Sequence, residues 1–194
     1  MNFRTFISKE EVQSLDLIRF EGDIYVIETK EELEKALSNL SQEEYVGFDT
    51  ETKPSFTKGE YYDPALIQLS TLTQCYLIRL KKTGFTNDLV AFFENKRIKK
   101  IGISIRDDIR DLQKVRLFEP LGFLDLNHVA ERMSITQIGV RSLTGIFLNR
   151  RVSKSQQTSN WENAQLTESQ KNYAATDSWI CMKILEILQE RGYL

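Results

Sequence analysis

Two acids one residue apart close an otherwise apolar run, Tyr45-Val46-Gly47-Phe48-Asp49-Thr50-Glu51-Thr52. Side chains alternate faces along a strand, so Asp49 and Glu51 leave one face about 7 Å apart at the backbone. Carboxylates that close repel each other and lose hydration together, a cost that a cation between them removes. Acids are depleted in strands, so this pair calls for a reason. The structural alternative is a strand fraying into a solvated acidic loop.

Two further stretches carry acids. In Gly102-Ile103-Ser104-Ile105-Arg106-Asp107-Asp108-Ile109, Ser104 is expected to cap a helix, with Asp107 at its third position as an acidic capping box. Asp108 precedes apolar Ile109 and lies one turn from Leu112, at the edge of the buried stripe. The third stretch sits in a long C-terminal helix whose start is marked by Thr167 with Gln170 three residues on. Within it, Tyr173 and Asp177 are four apart and share a face, separated by Ala174 and Ala175. A Tyr–Asp hydrogen bond on a helix surface explains that pair equally well by itself.

The elements that must position these residues follow from periodicity. A strand at 23–27 leads to a helix at 30–40, capped by Thr29 and with Leu33, Ala36, Leu37 and Leu40 on one face. The acidic strand, 65–70 and 75–80 are joined by short turns or one loop, which predicts an antiparallel meander. Helix 87–95, strand 100–103, a helix after Ser104 and strand 122–126 then alternate as parallel pairing requires. Helices at 127–133, 139–149 and 168–191 complete the chain. The expected fold is α/β, a mixed sheet of three antiparallel strands extended by parallel ones, with helices on both faces. Residues 1–22 read as an N-terminal arm, and 23–194 as one domain.

The 194 residues suffice for one sizeable core, and the net charge of −2 provides no general field for polyanions. Any such site must be local or built on metal. No stretch approaches the ~20 apolar residues of a membrane span. Cys75 and Cys181 sit in apolar runs and read as reduced core thiols. The N-terminus has no apolar signal core, so a cytoplasmic location is expected.

Taken together, the motifs resemble the DEDD superfamily of 3′–5′ exonucleases in its Tyr-containing branch, and most of all ribonuclease D and the Werner-type exonuclease domain. Phe48-Asp49-Thr50-Glu51-Thr52 looks like the first family motif, Gly102-x5-Asp108 the second, and Tyr173-x3-Asp177 the third. Leu66-Ile67-Gln68-Leu69 and Thr158-Ser159-Asn160-Trp161 fit the surrounding words, so the likeness covers about residues 23–190. It implies a ribonuclease H-like fold and a free-standing catalytic domain. It also implies hydrolysis of DNA or RNA from the 3′ end with two divalent ions, Mg²⁺ or Mn²⁺, releasing nucleoside 5′-monophosphates. By the same resemblance, Asp49 bridges both ions, Glu51 and Asp177 complete one site, Asp108 holds the other through water, and Tyr173 orients the attacking water.

Substrate contacts are expected from Thr52, at the terminal 3′-OH, and from Leu66 and Phe56 against terminal bases. For Phe56 the alternative is a loop residue packed on the core. Two basic clusters are candidates for phosphates: Lys96, Arg97, Lys99, Lys100, Arg106 and Arg110, and then Arg150, Arg151 and Lys154. Trp161 and the single histidine, His128, read as structural. The expected partner is nucleic acid, with no membrane and no protein partner. The rival readings are a catalytically weak nucleic-acid-binding module of the same fold and a metal-dependent hydrolase of small phosphoesters.

Overall fold

A computed structural model describes residues 3–194, so the first two residues of the expected arm lie outside it. Six strands form one mixed sheet: β1 (Asp23–Ile27), β2 (Tyr45–Thr52), β3 (Pro64–Ser70), β4 (Gln74–Arg79), β5 (Lys99–Gly102) and β6 (Phe123–Asp125). Their spatial order is β1-β4-β3-β2-β5-β6. β2, β3 and β4 form the antiparallel meander, while β1 joins β4, β5 joins β2 and β6 joins β5 in parallel. The meander extended by parallel strands is therefore present.

Both faces of the sheet are covered. Helices α2 (Lys30–Leu40), α4 (Asn87–Phe93) and α5 (Arg106–Val115) follow the single turn α3 (Leu80–Thr83) or a strand. α2 and α4, with the inner side of α5, bury one apolar cluster with Val46, Phe48, Ile67 and Leu69. Helix α8 (Glu168–Glu190) lies on the other face, where Ile180, Ile184 and Leu188 pack with Ile101 and with Leu126 and Val129 of α6 (Leu126–Arg132). The odd and even residues of β2 thus serve different layers, as the two-residue period demands.

The expected helix at 139–149 is shorter and changes pitch. α7 (Val140–Leu143) passes into a π-helical turn at Thr144–Leu148, which Asn149 ends at φ 51°. The N-terminal stretch contains a helix of its own, α1 (Lys9–Ser14), started by a Ser8–Glu11 capping box. Both cysteines are buried free thiols. Among the described residues no helix is long and apolar enough to cross a membrane.

How closely α8 sits on β2 is decided at Gly47. A Cβ there would lie 2.1 Å from the Ser178 carbonyl oxygen and 2.5 Å from Ser70 Oγ. Backbone meets backbone at that point, which only glycine permits. Ala174 and Ala175 continue the contact over Leu66 and Leu77. The close approach fixes the height of α8 above the sheet one residue after Asp177.

Candidate active site

The carboxylates of Asp49 and Glu51, at the carboxyl end of β2, meet that of Asp177 on α8. One oxygen from each lies within 4.8 Å of the other two. Asp49 and Glu51 are partly exposed, and Asp177 is buried. The three form the floor of a cavity of about 480 Å³, and Tyr173 stands beside them in its wall. The local causes are simple: strand alternation puts Asp49 and Glu51 on the α8 side, and the four-residue helical repeat stacks Tyr173 over Asp177.

Electrostatics reports the strain of this assembly. Burial, then the charges of Asp108, Asp177 and Glu51, push the Asp49 carboxyl well above the usual range. Glu51 is pushed up to about 9 by burial and then by Asp177 and Asp108. Burial takes Asp177 to about 7 against the opposing Tyr173 hydroxyl. Burial, with Asp177 and Glu51 close by, also raises the Tyr173 phenol, so it keeps its proton at neutral pH. Carboxyls this crowded titrate as a group, and they hold protons unless a cation replaces them. A set of carboxylate oxygens, with no lysine or arginine among them, is the donor chemistry that hard divalent cations prefer. These residues fit a divalent metal.

Asp108 stands apart from that trio. It accepts a hydrogen bond from the Thr50 hydroxyl, which points to the other side of β2. Its carboxyl is also raised, by burial, with the Thr50 bond opposing. Ser104 does not cap α5: it lies at φ 64°, in the left-handed region, whereas a capping residue is extended. No side chain caps α5; Asp125 at the end of β6 instead holds the turn that leads into it, its carboxylate accepting from the amides of Ser104 (3.0 Å) and Ile105 (3.1 Å), while capping α6 through the Asn127 amide (2.9 Å). Asn127 in turn bonds Ser104 Oγ at 2.7 Å and takes the Gly139 amide at 2.9 Å. Sequence reading missed both residues, although Leu124-Asp125, an acid ending an apolar strand, repeats the signal that singled out Asp49. Asp125→Ala leaves three amides without their acceptor and loosens the helix that carries Asp108. A loss of about 1–3 kcal/mol is expected, measurable as a lower urea midpoint with unchanged slope.

The start of α8 is secured twice. Thr167 and Gln170 form the expected capping box. The buried Gln170 amide also reaches back to Ser159 Oγ at 2.8 Å and the Asn160 carbonyl at 3.1 Å. Trp161 is 1% exposed and packs against Tyr173, their ring centroids 6.0 Å apart. Arg79, buried at the end of β4, bonds Glu28 at 3.0 Å and the Ala164 carbonyl at 2.8 Å, pinning the loop before α8. His128 is exposed on α6 and lies outside the cavity.

The three expected substrate contacts lie outside the cavity lining. Thr52 ends β2, across a register shift at Glu51/Thr52 that turns it out of the regular pairing. Phe56 is 86% exposed on the 53–63 loop, so it is not packed on the core. Leu66 requires correction. It is opposite Glu51 on β3 and wholly buried with Ala174, Ala175 and Trp161, so it presents no surface to a base.

The first basic cluster is also corrected. Lys100 is fully buried, its ammonium donating to the Asn95 (2.8 Å) and Ile98 (2.9 Å) carbonyls. Arg106 and Arg110 pair with Asp107, and Arg110 also with Asp111. Lys99 is opposite Tyr45, four residues along β2 from Asp49, or about 13 Å from it.

A profile of the 3′–5′ exonuclease family matches residues 24–192. The mouse bifunctional 3′–5′ exonuclease/ATP-dependent helicase WRN is 34% identical over 159 residues, covering 79% of this chain and 11% of that protein. The chain thus spans only a small part of that relative's length. The crystal structure of the Aedes aegypti Nibbler EXO domain is similar with a TM-score of 0.80 at 23% identity, over 90% of this chain and 91% of that one. Trypanosoma brucei RNase D in complex with RNA U12 is similar with a TM-score of 0.77 at 19% identity, over 87% and 63% of the respective chains. At those identities the two structures speak to the fold, which is ribonuclease H-like.

Proposed function

The chain belongs to the 3′–5′ exonuclease family, and we propose that it removes nucleotides one at a time from the 3′ end of a nucleic acid strand with the help of two divalent ions. The observation that carries this reading is the convergence of Asp49, Glu51 and Asp177 at the floor of one cavity beside Tyr173. Asp49, Glu51 and Asp177 would hold one ion, and Asp108 would contribute to holding the second. Bound divalent ions supply positive charge against the scissile phosphate and acidify a water.

What the chain's own residues do follows from their chemistry. The protonated Tyr173 hydroxyl, over the acid cluster, holds the attacking water in line. Water oxygen bonds to phosphorus, the bond from phosphorus to the 3′ oxygen of the preceding nucleotide breaks, and that oxygen takes up a proton. The products are a nucleoside 5′-monophosphate and a strand shortened by one, ending in a 3′-OH. Thr52 and the exposed Phe56, on the segment just beyond Glu51, remain candidates for contacts to the strand end.

The test follows 5′-labelled single strands of DNA and RNA of matched sequence with Mg²⁺, Mn²⁺ or EDTA. A metal-dependent ladder shortening from the 3′ end is expected, and the faster ladder names the preferred sugar. Tyr173→Phe keeps the fold and the acids but loses the hydroxyl. Its kcat should drop by roughly 10- to 100-fold, the low end of what one positioned proton-handling group contributes. Hydrolysis of free nucleotides without strand shortening, or strand binding without turnover, would sink this reading.

A further inference from the structure

The family match begins at residue 24, yet part of the wall around the acids comes from before it. Ile7, Ser8, Lys9 and Val12 line the cavity, facing the segments 137–142 and 152–154. This arm is strapped down along its length. The Ile7 amide donates to Gln137 Oε1 at 2.9 Å, and the Thr5 carbonyl accepts from the Thr136 amide at 3.1 Å. Further on, the Ile18 amide donates to the Arg151 carbonyl at 2.9 Å, and the Arg151 amide donates to the Asp16 carbonyl at 3.0 Å. The Phe20 amide then donates to Thr176 Oγ1 at 3.0 Å, on the residue before Asp177. Ile7 and Val12 are themselves buried.

Three cations stand on this wall. Lys9 on the arm, and Arg141 and Lys154 opposite, all line the cavity. None makes an ion pair with the acids of the floor or with any other described residue, although all line the same cavity as those acids. Arg141 Nε is buried with no hydrogen-bond partner. Cations left unpaired beside a floor of carboxylates are placed for an anion that arrives from outside. The volume of about 480 Å³ falls in the range that encloses one small ligand, ~300–1,000 Å³. That admits the end of a single strand, with the strapped arm closing one side of the cavity.

We infer that the N-terminal arm is the second wall of a single-strand groove, in which Lys9, Arg141 and Lys154 take the backbone phosphates next to the terminal nucleotide. The inference rests on the exonuclease reading of the floor but is measurable without turnover. A 5′-fluorescein-labelled oligothymidylate, its oligouridylate counterpart and a blunt duplex are titrated with the full chain in EDTA, from about 50 to 200 mM salt. Each phosphate contact adds about 0.7 to the slope of log K against log salt for a single strand. Lys9→Ala and Lys154→Ala should each lower that slope by this amount with unchanged thermal midpoints. Lys35→Ala, an exposed lysine on α2, should leave it unchanged. The blunt duplex should bind more weakly than either single strand.

An unchanged slope in Lys9→Ala, duplex binding as tight as single-strand binding, or no measurable binding by the wild type overturns the inference. The two readings separate in Mg²⁺. Strand shortening that persists with an unchanged Lys9→Ala slope removes the arm's role and leaves the exonuclease. A lowered slope without any shortening keeps the groove and removes the nuclease.

Discussion

Replacing Asp49 with asparagine is expected to stop strand cleavage and, in EDTA at pH 8, to make the protein more stable than the wild type. Each carboxyl of the cluster binds its proton more tightly in the folded protein than in the unfolded chain, Glu51 from 4.5 up to about 9 and Asp177 from 3.8 up to about 7. From about pH 4 to about 9 the folded state therefore holds more protons than the unfolded one, and stability of the metal-free protein falls as pH rises across that window. At pH 5 the wild-type cluster is largely protonated and the substitution changes little. At pH 8 the wild type must take up a proton on folding or bury a charge at each of these carboxyls, and the neutral amide does neither. A gain of about 1–3 kcal/mol is in scale with relieving one such charge, or roughly 2–10 °C in thermal midpoint for a chain of this size.

Adding Mg²⁺ reverses the order. Metal binding replaces the protons, stabilises only the folded state, and strengthens as pH rises because the ligands must first be deprotonated. The wild type should gain several degrees that the Asp49→Asn protein does not. Cleavage should fall by about 10³-fold or more, corresponding to some 4 kcal/mol of lost charge stabilisation. Thermal midpoints at pH 5 and pH 8, with and without metal, make the comparison. A lower midpoint for Asp49→Asn than for the wild type at pH 8 in EDTA would falsify the account of a charge-strained site.

Gly47→Ala is the second large effect, and it acts through no charge at all. The added methyl would meet the Ser178 carbonyl at 2.1 Å, far inside contact, and the neighbour is backbone that no side-chain rotation can clear. Helix α8 must lift or slide. Overpacking of this kind costs about 1–3 kcal/mol. The larger loss is functional, because α8 carries Tyr173 and Asp177. A shift of about 1 Å in a positioned group costs on the order of 10²-fold in rate. Stability, cleavage and amide exchange along α8 should all change together. Gly47→Ala with wild-type cleavage would mean that the helix height above β2 does not set the site.

Much of this site was legible in the order of residues because its geometry is local. The two-residue strand period puts Asp49 and Glu51 on one face, and the helical repeat puts Tyr173 with Asp177. Neither statement needs to know what packs above. The capping box at Thr167 and Gln170 is local in the same way, as is the alternation that predicted the mixed sheet. Where expectation and structure part, the deciding contact is distant in sequence. Ser104 has a capping side chain, but Asp125, twenty-one residues on, binds its amide, and Ser104 itself sits in the left-handed region where it cannot cap. Leu66 belongs to a motif beside the acids, yet α8 covers it completely. Lys100 looks like surface charge until the carbonyls of the turn after α4 close around its ammonium.

The sequence by itself therefore determined which acids exist, which pairs share a face, and that a strand end and a helix must meet for their chemistry to work. Only the tertiary structure decided that Gly47 lets α8 down onto β2, that Asp177 thereby joins Asp49 and Glu51, and that residues 7–12 fold back to wall the cavity. The reason is range: faces and caps are fixed by torsions and hydrogen bonds spanning three or four residues. The convergence of four elements and an arm depends on which surfaces exclude water together.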